Sequence, residues 1–330
     1  MVDIRGFVNL DESRTFGSLK AFSEDLPSAV TDVGCERDIN EDRYAVVESP
    51  NGRAWVVCDG MGGVAGGELA SQLAIESIRR TLENGIFDSA EMALQSAMLE
   101  ANRIIVLRKQ NPNFKNMGTT VVAANIFDHE VIIASAGDSR AYVLSDGKLR
   151  QLTVDHTYVQ ELVNKGLITE EEAFDHPQAH VLTRCLGSEV KLNLDVKKHY
   201  LWESELSETH DKLVLCSDGL YSLVSDNEMS DIIEHFSPQE ACSKLVELAR
   251  SRGGYDNITL VILPLGGRLK DVPPTNYKPK KPSRDQKISR QVPKIRFTKR
   301  QKIALALFSV TAGLVVSVIT IVLKLASIKY

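Results

Sequence analysis

Apolar residues recur along this chain with two periods, and the switches between them set the expected architecture. Residues 54–58 (AWVVC) form a short apolar run that ends at Asp59 and a cluster of glycines, Gly60, Gly62 and Gly63. That pattern predicts a buried strand closed by an Asp-Gly turn. Residues 67–83 and 88–110 carry apolar positions at helical spacing, so two helices follow. From Gly118 the period shortens. Residues 119–126, 130–136, 140–144 and 148–152 are short β-branched runs separated by tight turns, Asp146-Gly147 among them, which predicts an antiparallel meander. Strands resume at 192–199 and 212–216, two helices occupy 226–236 and 238–250, and a last strand covers 258–263. Residues 30–47 read as an acid-rich turn leading into a strand. The mixed helical and loop segment at 157–186 is long for a plain connection, which favours a functional loop. Pairs of helices set among many strands predict an α+β fold, an antiparallel sandwich covered by helices.

The end of the chain follows neither period. After Gly267 it turns Pro- and Lys-rich (PPTNYKPKKPSR), the composition of a linker. Residues 303–323 (IALALFSVTAGLVVSVITIVL) then run 21 positions without a charge. At 1.5 Å per residue such a helix spans about 31 Å, close to the thickness of a hydrocarbon core. One C-terminal transmembrane helix is therefore expected. Eleven Lys and Arg lie between Lys278 and Lys302, against Lys324 and Lys329 beyond the span, which places the body on the cytoplasmic side. The expected organisation is an extension at 1–27, a folded domain at 28–265, a basic linker at 266–302, the span at 303–323 and a tail at 324–330. No apolar segment follows Met1, so no secretory signal is indicated. Ser309, Gly313 and Ser317 put small residues on one face of the span, the pattern of a packing surface that a weak dimer could use, although spans are rich in such residues by default.

Charge sharpens this division. The net charge of −5 conceals an acidic body and a basic tail: 13 of the 39 basic residues but one of the 44 acids lie in 278–330. The basic segment is expected to contact anionic lipid, and nucleic acid is not an expected partner. The five cysteines are odd in number, widely spread and free of any Cys-x-x-Cys pair, which argues against a zinc site or a disulfide framework and for a reducing compartment.

Four acids stand at strand ends with a glycine close by: Asp59 (VVCDG), Asp138 (SAGDSRAY), Asp218 (LVLCSDG) and Asp256 (GGYDNITLVIL). With the Glu41-Asp42 pair they suggest carboxylates converging on one edge of the sandwich. Carboxylates brought together raise one another's pKa unless cations neutralise them. All-oxygen ligands, without Cys or His spacing, point to hard ions, Mg²⁺ or Mn²⁺. Two such ions bridged by one carboxylate can support in-line displacement at phosphorus. Arg37 is the available fork for phosphate oxygens; a surface salt bridge is the other reading of that residue.

These residues resemble the motifs of the metal-dependent protein phosphatases of type 2C, in their bacterial form. The matching stretches are Thr31-Asp-x-Gly-x-x-Arg-x-x-Asn-Glu-Asp42, Asp59-Gly-Met-Gly-Gly63, Gly118-Thr-Thr120, Gly137-Asp-Ser-Arg140, Cys216-Ser-Asp-Gly219 and Asp256-Asn257, in order across roughly 28–265. The resemblance implies a four-layer αββα sandwich with helices on both sides. It implies that Asp59 bridges two ions, that the Gly60 carbonyl ligates one, that Asp218 and Asp256 complete the other's shell, and that Asp138 with Asp218 holds a third. It further implies that Glu41 and Asp42 act through water, with Asn257 supporting them, that Arg37 binds the substrate phosphate, and that 155–185 is a flap over the site. Two positions depart from the pattern: Met61 and Val64 stand where relatives often place histidine, so protonation of the leaving group falls to water. No Cys-x5-Arg, Asp-x-Asp-x-Thr/Val or Gly-Asp-x-His-Gly motif is present, which excludes the other common phosphatase chemistries. The expected function is hydrolysis of phosphoserine and phosphothreonine in proteins, opposing a Ser/Thr kinase at the membrane. The alternatives are a non-catalytic phosphoprotein-binding module, or a phosphatase dedicated to one small regulator such as an anti-sigma antagonist.

Overall fold

Side chains that alternate along the central strands enter two different cores, and this alternation builds the layers. In a computed structural model, which describes residues 26–63, 66–202, 211–273 and 277–278, the third strand, β3 (Gly52–Met61), shows it best. It follows β1 (Ser28–Asp32) and β2 (Asp42–Ser49). Ala54, Val56 and Cys58 of β3 point to one core, and Trp55 and Val57 to another. The first core lies under α1 (Gly66–Asn84) and α2 (Ala90–Arg108). The second lies between two sheets.

The strands that follow are β4 (Gly118–Thr119), β5 (Val121–Phe127), β6 (Glu130–Ala136), β7 (Arg140–Ser145) and β8 (Lys148–Gln151). After the short helices α3 (Tyr158–Asn164) and α4 (Glu170–Phe174) come β9 (Asp195–Trp202) and β10 (Lys212–Cys216). Then α5 (Asp218–Tyr221), α6 (Asp226–His235) and α7 (Pro238–Ser251) lead to β11 (Ile258–Pro264) and β12 (Arg268–Lys270). One sheet has the order β1-β11-β10-β7-β8; the other runs β12-β9-β6-β5-β3-β2, with β4 paired to β3. All pairings are antiparallel. A third core packs α5, α6 and α7 on the outer face of the first sheet, with Val214, Cys216, Leu260 and Ile262 pointing to it. The result is the expected αββα sandwich. Helix α7 begins where its sequence says it should: Ser237 and Glu240 close a capping box and Pro238 takes the first turn.

Four details differ from the expectation. Asp59-Gly60 is not a turn, because β3 runs on to Met61 by exchanging β5 for β4 as a partner, and the chain reverses at Gly62 and Gly63, both at positive φ. The acid-rich turn is preceded by a strand of its own, β1, which earns its place by pairing with β11 far downstream. The strand expected at 192–199 sits three residues later, since its register against β6 and β12 sets its ends. Finally, β12 pairs Arg268 with Trp202, so the sheet continues into the stretch expected to be linker. The extension up to residue 25, most of the basic linker, the span at 303–323 and the tail lie outside the described residues. Among the described residues no helix is long and apolar enough to cross a membrane.

Candidate metal and phosphate site

Asp59 reaches the site because β3 carries it past the end of β5. Its amide donates to Thr120 Oγ1 at 3.0 Å, and its carbonyl accepts the Thr120 N–H and the Thr119 hydroxyl at 2.8 Å each. Gly60 follows in a space that admits no side chain: a Cβ there would lie 2.7 Å from the Glu41 carbonyl oxygen and closer still to that of Gly67. Opposite Asp59 on β2 stands Asp42, fully buried, with Oδ2 accepting the Ser217 hydroxyl at 2.7 Å and Oδ1 without a partner.

The other acids come from the connections at the same edge. Asp138 sits in the β6–β7 turn, and its carbonyl accepts the Tyr221 hydroxyl at 3.0 Å. Asp218 opens α5; one carboxyl oxygen is buried without a hydrogen bond and the other lies 3.7 Å from His180 Nδ1. Asp256 precedes β11, accepts the Asn257 amide at 2.8 Å and pairs with Arg37 Nη2 at 2.7 Å. Asn257 ties the acid-rich turn in place, accepting the Glu41 amide at 2.7 Å and donating to the Val33 and Ile39 carbonyls. Arg37, Glu41, Asp59, Gly60, Met61, Asp138, His180, Asp218 and Asp256 all line one cleft of about 440 Å³.

The electrostatics are those of an acid cluster short of positive charge. Burial, followed by the charges of Asp42, Asp218, Asp138 and Asp256, drives the Asp59 carboxyl well above the usual range. Burial raises Asp42 to about 8 and Asp138 to about 7, with Asp218 adding to both. Asp256 is raised by burial and by Asp218, against the pull of Arg37. His180 is raised in turn, by its contact with Asp218.

Hard divalent cations fit this donor set. Oxygen is the only donor type the acid cluster offers, two of its carboxyl oxygens are buried and unpartnered, and cations relieve the repulsion that lifts the pKa values. Among the described residues no three His, Cys, Asp or Glu side chains are placed to hold an ion by themselves. Each ion would then take one or two carboxylates and complete its shell largely with water, as Mg²⁺ usually does.

Of the residues expected from the sequence, Arg37, Glu41, Asp59, Gly60, Asp138, Asp218 and Asp256 share the cleft. Asp42 and Asn257 lie behind it. Arg37 lines the cleft and makes the ion pair of its second reading, with Asp256. Val64 lies outside the described residues. Sequence reasoning passed over Ser217 and His180. Ser217 had its signal in the Cys-Ser-Asp-Gly stretch, whereas nothing local marks His180, which the flap carries back over the acids.

A family model described as Protein phosphatase 2C matches residues 36–249. The chain is 38% identical over 240 residues to the serine/threonine phosphatase stp of Listeria welshimeri, covering 71% of this chain and 93% of that one. The solved serine/threonine phosphatase of S. agalactiae superposes with a TM-score of 0.67 at 32% identity, over 73% of this chain and 99% of that chain. The catalytic domain of the phosphatase PstP in complex with two manganese ions gives a TM-score of 0.61 at 34% identity, over 73% and 97%.

Proposed function

The chain belongs to the protein phosphatase 2C family, and from that premise we propose a metal-dependent hydrolysis of phosphoserine and phosphothreonine in its cleft. The protein is a protein serine/threonine phosphatase. The reading of the site is that Asp59, the Gly60 carbonyl, Asp138, Asp218 and Asp256 hold two or three Mn²⁺ or Mg²⁺ ions. The observation that carries it is the convergence of Asp59, Asp138, Asp218 and Asp256 with Arg37 on a single cleft. Bound there, hard cations would neutralise the cluster and supply Lewis acidity and an activated water for in-line displacement at phosphorus.

The chain's own residues bind and orient. Arg37 stands at the mouth of the cleft, where Nη2 contacts Asp256 and Nε reaches the Tyr255 carbonyl at 3.4 Å. A guanidinium has five N–H donors, so three are left for phosphate oxygens. Thr119 and Thr120 fix the backbone of Asp59, and Asn257 fixes that of Glu41. Met61 lines the cleft and has no proton to give, so no side chain at that position protonates the leaving oxygen. The non-catalytic alternative is set aside because the carboxylates and Arg37 are all in place.

We place this body at the cytosolic face of a membrane, carried by the span at 303–323, with the basic linker against anionic lipid and a Ser/Thr kinase as its opponent. Hydropathy and charge support this placement. Phosphate release from a phosphothreonine peptide by the full-length chain tests the chemistry; Mn²⁺ should switch it on, and full activity in EDTA would overturn the metal reading. Membrane fractionation with and without residues 303–330 tests the anchor. A panel of phosphoproteins separates a general phosphatase from one dedicated to a single regulator.

A further inference from the structure

Gly137 and His156 hold one another at two points. The His156 amide donates to the Gly137 carbonyl at 3.0 Å, and the Gly137 amide donates to His156 Nδ1 at 3.1 Å. The second bond needs an unprotonated ring nitrogen, which puts the ring's single proton on Nε2. The imidazole is buried, and burial lowers its pKa and keeps it neutral. Nε2 lies 3.1 Å from Asp195 Oδ2 but makes no aligned hydrogen bond, so that contact is electrostatic.

Each end of this clamp leads to a working part. Gly137 immediately precedes Asp138 and has φ +118°, and a Cβ there would lie 2.6 Å from Thr120. Thr120 Oγ1 accepts the Asp59 amide and is hydrogen-bonded to Ser139 Oγ at 2.6 Å. The turn that carries Asp138 is thus wedged between Thr120, which holds Asp59, and the His156 ring. On the other side His156 belongs to the foot of the flap. Its carbonyl accepts the Thr183 amide at 2.8 Å, Thr157 bridges to Leu182, and Asp195 also binds Arg184 at 2.7 Å. His156 therefore joins both feet of the flap to the turn of Asp138, its backbone reaching Thr183 and Gly137 and its ring adding the bond from the Gly137 amide.

We propose that His156 is a positioning residue that sets the Asp138 carboxyl in the cleft according to how the base of the flap is seated. The role requires only an acceptor where Nδ1 stands. Its effect on turnover rests on the reading of Asp138 as a metal-binding carboxylate; the clamp itself does not.

Three variants of the full-length chain test it. His156→Asn puts a carbonyl oxygen near the position of Nδ1, His156→Gln puts one near that of Nε2, and His156→Phe keeps a ring without an acceptor. With glycine-selective ¹⁵N labelling and no metal present, the Gly137 amide resonance should stay near its wild-type position in His156→Asn and move in the other two. In Mn²⁺ titrations, by direct binding and by phosphopeptide turnover, His156→Phe should need about three to ten times more Mn²⁺, the factor one hydrogen bond supplies. KM for the peptide should hold, and His156→Asn should stay within about twofold of wild type. An unmoved Gly137 amide in His156→Phe, or equal losses in the Asn and Phe variants, overturns the proposal. If His156→Phe does not fold, Asp195→Asn carries the test. Faster proteolysis within 155–185 together with a shifted Gly137 amide supports the coupling, and faster proteolysis with that amide unmoved overturns it. A wild-type protein that needs no Mn²⁺ would remove the metal reading alone and leave the amide measurement to judge the clamp.

Discussion

Asp42 and Asp59 stand directly opposite one another on adjacent strands. Like charges in that relation repel; Asp42 is buried, Asp59 is half-buried at the cleft, and Asp218 and Asp256 add to the repulsion of both. Ser217 satisfies one oxygen of Asp42 and leaves the other bare. A fold selected for stability alone would place an apolar or amide side chain at one of these positions. Keeping both acids makes sense where cations occupy the cleft in front of them.

The first prediction concerns the metal-free protein. Asp42 keeps its proton up to about pH 8 in the fold, while its ordinary value is 3.8. Between those values the unfolded chain releases a proton that the native state retains, so stability falls as pH rises from about 4 to about 8 and then levels off. Asp42→Asn, which preserves the neutral shape, should raise Tm in EDTA at pH 8 by at least about 2–4 °C, the shift that about 1 kcal/mol produces in a domain of this size. At pH 4 it should give no gain. Thermal melts at the two pH values check this, and turnover with Mn²⁺ should fall in the same variant.

Arg37 gives the opposite pattern. Its ion pair with Asp256 joins side chains 49% and 37% exposed, and such pairs contribute about 0–1 kcal/mol. Arg37→Ala should therefore leave Tm within about 2–4 °C of wild type. If the guanidinium binds phosphate, kcat/KM on a phosphothreonine peptide should drop at least about tenfold, the loss of roughly 1.4 kcal/mol of transition-state binding. Arg37→Lys should recover charge without the bidentate fork and restore only part of the rate. Steady-state kinetics on the three proteins decides.

Gly60→Ala tests the crowding around the proposed carbonyl ligand. The added methyl would strike two backbone carbonyls, Gly67 and Glu41, which cannot swing aside as a side chain could. Overpacking of this kind costs about 1–3 kcal/mol. Both thermal stability and Mn²⁺ affinity should fall together. A variant with normal stability and normal Mn²⁺ binding would show that the strand gives way locally.

Much of this was legible in the sequence because the carboxylates are announced by what surrounds them. Asp59, Asp138, Asp218 and Asp256 each sit at a strand edge with a glycine within two residues, and their spacing along the chain matched a known family. What local pattern cannot carry is partnership. β1 is a strand because β11 lies beside it more than 200 residues later, and the ends of β9 are set by β6 and β12. Asp59-Gly60 has the look of a turn, yet Gly118 and Thr119 arrive as a third partner and extend the strand. His180 and His156 fall in the same category. Neither has a motif of metal-ligand spacing, and each acquires its role only when the flap folds back on Asp218 or on Gly137.

The central claim is that the acids of the cleft exist to hold cations for phosphate hydrolysis. The most direct measurement is phosphate release from a phosphothreonine peptide as a function of Mn²⁺, for wild type and Asp218→Ala, with ion binding followed in parallel. Wild type should be inactive in EDTA and saturate with Mn²⁺. Asp218→Ala should stay folded and lose at least one bound ion, and its turnover should fall by about a hundredfold or more, some 3 kcal/mol of the barrier. Undiminished release by Asp218→Ala, or by wild type in EDTA, would contradict the claim.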